Sequence, residues 1–248
     1  MTDEKIIELY WQRSETAIEE TDRADGHTLL INQGYIELPE DAVQTILANR
    51  IPERNYNCFL NFETVAEWQE FFDLPFVTSS LLVSEEDGQW VDYTGNGILV
   101  PKGDIDTYIT SVDEENETKF GIMGSVFSVE RIYSAEDDSE QINWHGSIQI
   151  HAALSEEAVE DASHSVRVEG VITEETLTEA TTPTGIPYVI RRIVSGDSGE
   201  IVQFFLYYGY ESVMYELWVT AHSPEEEKII ADDLKMIAET LQVVYPEK

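Results

Sequence analysis

Cations are scarce in this chain. Fourteen Lys and Arg stand against fifty Asp and Glu over 248 residues, for a net charge of −36. Without a basic stripe there is nothing to neutralise phosphates, and the acidic field repels nucleic acid and anionic membrane surfaces. It favours solubility and cationic partners, and its plainest reading is a solvated acidic surface. Cysteine is almost missing too. Cys58 stands alone, so no internal disulfide forms and the redox compartment is unrestricted. It sits in the apolar run Tyr56-Asn-Cys-Phe-Leu-Asn-Phe62, which reads as a strand holding a buried structural thiol, not a nucleophile. No apolar run approaches the ~20 residues of a membrane-spanning helix. The acidic N-terminus is followed by no apolar signal region. The expectation is a chain that is soluble, cytoplasmic and without a membrane span. Catalytic signatures are lacking as well: there is no Gly-x-Ser-x-Gly elbow, no phosphate-binding loop and no dinucleotide fingerprint. Thr94-Gly-Asn-Gly97 lacks the Lys and the following helix of a phosphate loop, so it reads as a turn.

What is present is enough apolar material for a substantial core, 42% hydrophobic and 10% aromatic. Residues 3–23 carry a helical period, with Ile6, Leu9, Tyr10, Ala17 and Ile18 near one stripe and Gly26 as the stop. Leu38 to Ala48 reads as a helix with Pro39 near its start. A strand over about 56–62 leads into a helix over about 63–72, with Thr64 and Glu67 as a capping box and Val65, Trp68, Phe71 and Phe72 as its apolar face. Residues 83–104 are rich in turn signals. From 105 to about 221 the pattern predicts strands at Thr107–Val112, Lys119–Tyr133, Ile142–Leu154, Val166–Thr173, Pro187–Ser195, Ile201–Tyr208 and Val213–Ala221. Ser223-Pro-Glu-Glu226 opens a final helix whose stripe is Ile230, Leu234, Ile237 and Leu241.

Within 142–152 the alternation is clean. Ile142, Trp144, Ile148 and Ile150 take one face, and Asn143, His145, Ser147, Gln149 and His151 the other, which suggests an antiparallel sheet with one packed and one wet face. His145 and His151 share that wet face but lie about 20 Å apart at ~3.3 Å per residue, too far to hold one metal ion. The acidic segments 113–117 and 136–140 do not follow the EF-hand order and read as solvated hairpin loops. The aromatic group Phe204, Phe205, Tyr207, Tyr208, Tyr210, Tyr215 and Trp218 puts bulk on both faces of one hairpin. It reads first as a central strand pair covered by the last helix, and Phe204, Leu206, Leu217 and Trp218 are expected to pack on that helix. The second reading is an aromatic binding surface of Tyr207, Tyr208, Tyr210, Tyr215 and Trp218, for a peptide or glycan.

Two segments resemble known families. Ile6-Ile-Glu-Leu-Tyr10 through Ala17-Ile-Glu-Glu-Thr-Asp22 resembles the opening helix of bacterial extracytoplasmic-function sigma factors, and the resemblance stops at Gly26. The basic helices that such factors use on promoter DNA do not follow, so a working sigma factor is excluded and residues 1–26 read as a truncated leader. Asn61-Phe62, the helix after it, Leu74-Pro-Phe76 and Ser79-Ser-Leu-Leu82 form the second match. With the closing Glu216-Leu-Trp-Val-Thr220 and Ile237-Ala-Glu-Thr-Leu241, they resemble the soluble domain of Gram-positive anti-sigma-factor-like proteins over 56–244. Trp68, Gln69 and Asp73 depart from that pattern, which carries Glu-Ala and Gly there. Related domains of that kind are extracytoplasmic.

The expected fold is α+β: an antiparallel sheet flanked by helices, with the C-terminal helix packed on it and a peripheral N-terminal helix. The expected organisation is a leader at 1–26 and one sensing or binding domain over 35–248. The expected role is non-enzymatic, with no catalytic, metal or cofactor site, no nucleic acid, and a protein or peptide partner. The alternative is an acidic interaction protein for a basic partner.

Overall fold

The computed structural model describes residues 34–51, 58–84, 97–100, 105–111, 120–132, 144–159, 172–195 and 201–246. The expected leader helix, the acidic segments 113–117 and 136–140, and residues 166–171 of an expected strand lie outside the described residues.

The fold is α+β, an antiparallel sheet with helices packed on one side. Helix α1 (Glu40–Ala48) starts directly after Pro39, with Glu40 and Asp41 in its first turn. Helix α2 (Val65–Phe72) and the closing helix α3 (Pro224–Glu239) start instead with a side-chain cap that α1 lacks. Thr64 Oγ1 accepts from Glu67 N at 3.1 Å, and Ser223 Oγ accepts from Glu226 N at 3.1 Å. In both helices the acid turns back and accepts from the residue before the cap, Glu63 N at 2.8 Å and His222 N at 2.6 Å. Two otherwise orphaned backbone donors are satisfied at each start. Helix α2 stops at Asp73, which takes the left-handed conformation (φ 51°) that usually falls to glycine at a helix end.

Two meanders build the main sheet. One is β5 (Ile105–Ser111), β6 (Phe120–Ile132) and β7 (Trp144–Ala153). The other is β8 (Ile172–Thr181), β9 (Pro187–Ser195), β10 (Ile201–Tyr210) and β11 (Val213–Ala221). They join in the middle, where β11 pairs antiparallel with β7. With β1 (Cys58–Phe62) on the outer edge of β5, the strand order is β1-β5-β6-β7-β11-β10-β9-β8. Strands β3 (Leu82–Ser84) and β4 (Gly97–Val100) extend the free end of β6, and β2 (Phe76–Ser79) pairs separately with β12 (Leu241–Val244).

Because side chains alternate, one set of residues on each strand faces the helices. Ile109, Met123, Phe127, Ile148, Ile150, Phe204, Leu206, Tyr208, Tyr215 and Leu217 meet Ile46, Trp68, Phe72, Ile230, Leu234 and Ile237 in one continuous core. Burying a single such side chain contributes ~1.5–3 kcal/mol. Several polar groups in this core are paired. Trp68 Nε1 donates to Ser125 Oγ at 2.9 Å, and Trp144 Nε1 donates to Asp233 Oδ2 at 2.8 Å. Asp233 lies on the buried stripe of α3 and also holds Arg131 Nη1 at 2.6 Å, which ties the last helix to β6. Arg192 of β9 makes a second tie, to Glu227 of α3 at 2.8 Å.

The structure differs from the sequence expectations at identifiable places. Trp218 does not pack on the last helix. It follows Leu217 directly, so strand alternation sends it to the opposite face, where it is 37% exposed. Leu241 belongs to β12 and not to α3, because Thr240 Oγ1 donates back to Met236 O and Ile237 O and closes the helix at Glu239. The strand expected at 166–173 meets the described residues only at 172–173, and there β8 continues to Thr181, beyond the expected end. Its Thr- and Glu-rich sequence carries little apolar signal, as suits a charged edge strand. The turn-rich segment 83–104 contains β4, and the short β2 and β12 pair only with each other. His151 is not wet: it is 3% exposed while His145 is exposed.

Candidate functional site

The far face, turned away from α1–α3, is not the plain solvated surface that alternation implies. A second apolar cluster of Val189, Ile193, Phe205, Tyr207 and Met214 lies there. The rings of Phe205 and Tyr207 are parallel with centroids 5.9 Å apart, and Phe205 and Trp218 are parallel at 6.4 Å. Three of the large apolar side chains that stay exposed, Phe59, Ile201 and Trp218, also point to this side.

Charged groups are set among these rings. Arg191 of β9 is buried and its Nε donates to Glu175 Oε1 of β8 at 2.5 Å. Its charge also acts on the Tyr207 phenol. Glu216 of β11 stands opposite Tyr207 on one side and Gln149 on the other, so it lies at the join of the two meanders. It is 5% exposed. Burial pushes its carboxyl from the ordinary 4.5 to about 7, and the Arg191 charge opposes that shift. The buried Tyr207 phenol is held well above its usual range, by desolvation first and by the Glu216 charge second. Tyr108 of β5 is raised by the same two causes.

The geometry around Glu216 depends on a glycine. In the row Tyr108, Gly124, His151, Met214, the phenol of Tyr108 lies over Gly124 of β6. A Cβ there would come within 2.0 Å of Tyr108 Cζ, so only glycine leaves the ring this place.

The five aromatic residues singled out in the sequence do not share a surface. Tyr208 and Tyr215 face the helices, fully buried, with ring centroids 5.0 Å apart. The Tyr215 hydroxyl accepts from Val77 N at 3.2 Å and donates to Pro75 O at 3.3 Å, which fixes β2 over the sheet. Tyr210 lies at the end of β10 with its hydroxyl 3.0 Å from that of Tyr245. Tyr207 and Trp218 alone reach the far face. Sequence reasoning missed Glu216, Arg191, Glu175 and Tyr108; the available signal was one acid between Tyr215 and Leu217 in an otherwise apolar strand.

His145 Nδ1 lies 3.2 Å from Glu130 Oε2 at the surface, far along β7 from His151. Among the described residues no group of three His, Cys, Asp or Glu side chains could hold a metal ion. Burial raises the Cys58 thiol, which disfavours the thiolate that a nucleophile needs. No helix among the described residues is long and apolar enough to cross a membrane.

A half-open apolar pocket of ≈ 170 Å³ lies on the helix side, lined by Val65, Gln69, Phe76, Phe127, Ile148 and Val244 among others. The Gln69 amide donates to Val244 O at 2.9 Å and Leu74 O at 3.4 Å. Its donors thus hold the pocket walls together. The far face has the richer chemistry: aromatic rings, a buried ion pair and a buried carboxyl.

No protein-family model, no curated protein and no solved structure matches the chain.

Proposed function

We propose that the protein is a non-enzymatic sensing or binding domain of the anti-sigma-factor-like kind, and that it holds a basic protein or peptide on the far face of its sheet. The observation that carries this reading is the pairing of exposed apolar side chains with acids on that one face. Phe59, Ile201 and Trp218 are exposed there, and Asp106, Glu130, Glu175, Glu179 and Glu216 project from the same side. Arg191 is the one Arg or Lys on that side among the described residues, and it is engaged by Glu175. Aromatic faces and carboxylates together suit Lys and Arg side chains, which bring a cation and an apolar stem. The net charge of −36 adds long-range attraction for such a partner. The sigma-like leader at 1–26 and the anti-sigma-like segments over 56–244 support a place near transcription machinery.

The test is fluorescence anisotropy with a labelled peptide of alternating Lys and Leu, and a matched peptide of Glu and Leu, in ~0.15 M salt. The Lys peptide is expected to bind and the Glu peptide to stay free. Trp218→Ala, which leaves the charge unchanged, should weaken binding about tenfold. Equal binding of the Lys peptide by the Trp218→Ala variant would overturn the reading.

A further inference from the structure

Glu216 is the most unusual side chain on the far face. It is more than nine-tenths buried, and among the described residues its carboxyl makes no hydrogen bond or ion pair. The nearby Arg191 guanidinium is bound instead to Glu175. No protein group among the described residues donates to its oxygens, which keep a narrow contact with solvent, so a donor from outside can reach them. The walls around Glu216 are aromatic. Tyr207 stands directly opposite it, Trp218 is two residues along the strand, and the Tyr108 phenol reaches over Gly124 from β5.

We infer that Glu216 is the bottom of a subsite for a primary ammonium or guanidinium group, such as the side-chain end of a Lys or Arg residue. This rests on the far face being the binding face. The carboxylate supplies the charge-assisted hydrogen bond, worth about twice a neutral one. The exposed Trp218 ring supplies a π face for a cation and contact for its methylene stem. A phosphate, a carboxylate or a neutral sugar would not satisfy this group.

Binding is linked to protons. The ligand selects the ionised carboxylate, so affinity should fall as pH drops below 7 and a proton should be released on binding near neutrality. The other titratable groups facing Glu216 are Tyr207 on β10, Arg191 on β9, Glu175 on β8, His151 on β7, and Asp106 and Tyr108 on β5. Burial and the Glu216 charge hold the Tyr207 and Tyr108 phenols above their usual range, and Glu175 is hydrogen-bonded to Arg191.

The experiment is an NMR titration of the full chain with n-pentylammonium, and with n-pentanol as the uncharged control, at pH 6 and pH 8. Pentylammonium should shift the Trp218 indole and Tyr207 resonances, bind about tenfold tighter at pH 8 than at pH 6, and leave pentanol at least tenfold weaker. Glu216→Gln should lose about tenfold or more in affinity for the ammonium and lose the pH dependence. The wild-type comparison of amine, alcohol and pH stands even if that variant does not fold. Equal binding of amine and alcohol at Trp218 would overturn the subsite and leave the binding face standing. Shifts confined to the helix side would overturn both.

Discussion

The phenol of Tyr108 lies directly over Gly124, with Cζ 2.0 Å from where a Cβ on that glycine would stand and the hydroxyl oxygen 2.2 Å from it. The two residues are cross-strand partners on β5 and β6, and the ring leans toward the middle of the sheet, within electrostatic reach of Glu216. The glycine therefore belongs to the candidate site without contributing a side chain.

Gly124→Ala should expel the Tyr108 ring. Overpacking of this kind costs ~1–3 kcal/mol, to be read from the urea midpoint at constant m-value. Gly124→Ala paired with Tyr108→Ala should recover part of that loss, because the clash needs both side chains. An additive double variant would show that the ring is not where the cost arises.

Glu216 should make stability fall with rising pH. Its folded value of about 7 lies above the ordinary 4.5, so between those values the native state holds a proton that the unfolded chain releases. Its contribution is fully present below pH 4.5 and is lost as pH rises to about 7. The difference is about 3 kcal/mol at ~1.4 kcal/mol per pH unit. Glu216→Gln should therefore gain stability relative to the wild type across that window and level off above it. Chemical denaturation at pH 4.5, 6 and 8 measures this; a difference that does not change with pH would contradict the shift.

Arg131 and Asp233 should be costly to separate and cheaper to remove together. Arg131→Met leaves the Asp233 carboxylate buried in the core and should cost ~3–5 kcal/mol. Adding Asp233→Leu should restore part of this. The remainder is the Trp144 Nε1–H, which donates to Asp233 Oδ2 and would lose its acceptor, a loss of ~1–3 kcal/mol. Urea midpoints of the two variants decide it.

Leu217 and Trp218 are neighbours with opposite roles. Leu217→Ala opens a cavity under α3 and should cost ~2–5 kcal/mol, as should Leu234→Ala across the same contact. Trp218→Ala, on a half-exposed far-face residue, should cost about 1 kcal/mol or less. Thermal melts of the three variants give the order directly, and a Trp218 loss as large as the Leu217 loss would place the indole in the core.

The far face should not take nucleic acid. With acids around Arg191 and no clustered cations to release counterions, DNA and RNA should fail to shift in a gel at ~0.15 M salt. Submicromolar retention of either would contradict the charge argument.

Local signals made much of the fold legible. The Thr64/Glu67 and Ser223/Glu226 pairs mark two helix starts, because capping chemistry is confined to a few adjacent residues. The strands Pro187–Ser195 and Val213–Ala221 match their predicted bounds, since alternation and flanking turns are local as well. Strand β8 was harder to see because an edge strand needs few apolar residues, and β2 and β12 because neither forms except against the other. The aromatic group misled in one respect: bulk in a strand says nothing about which residues share a face with a site until the alternation is counted residue by residue, as Leu217 and Trp218 demonstrate.

By itself the sequence determined the α+β class, the antiparallel pairing, the acidic surface and the apolar stripe of the last helix, all consequences of composition and short-range periodicity. Only the tertiary structure decided where Glu216 would lie. Its partners Gln149, Tyr108 and Arg191 come from β7, β5 and β9, and β11 meets β7 only because the two meanders close on each other across a long stretch of chain. Periodicity assigns a side chain to a face, but the neighbour it meets on that face depends on strand order. Strand order is set by the packing of the whole sheet against α1–α3, and it is this packing that leaves one carboxyl buried among rings at the join.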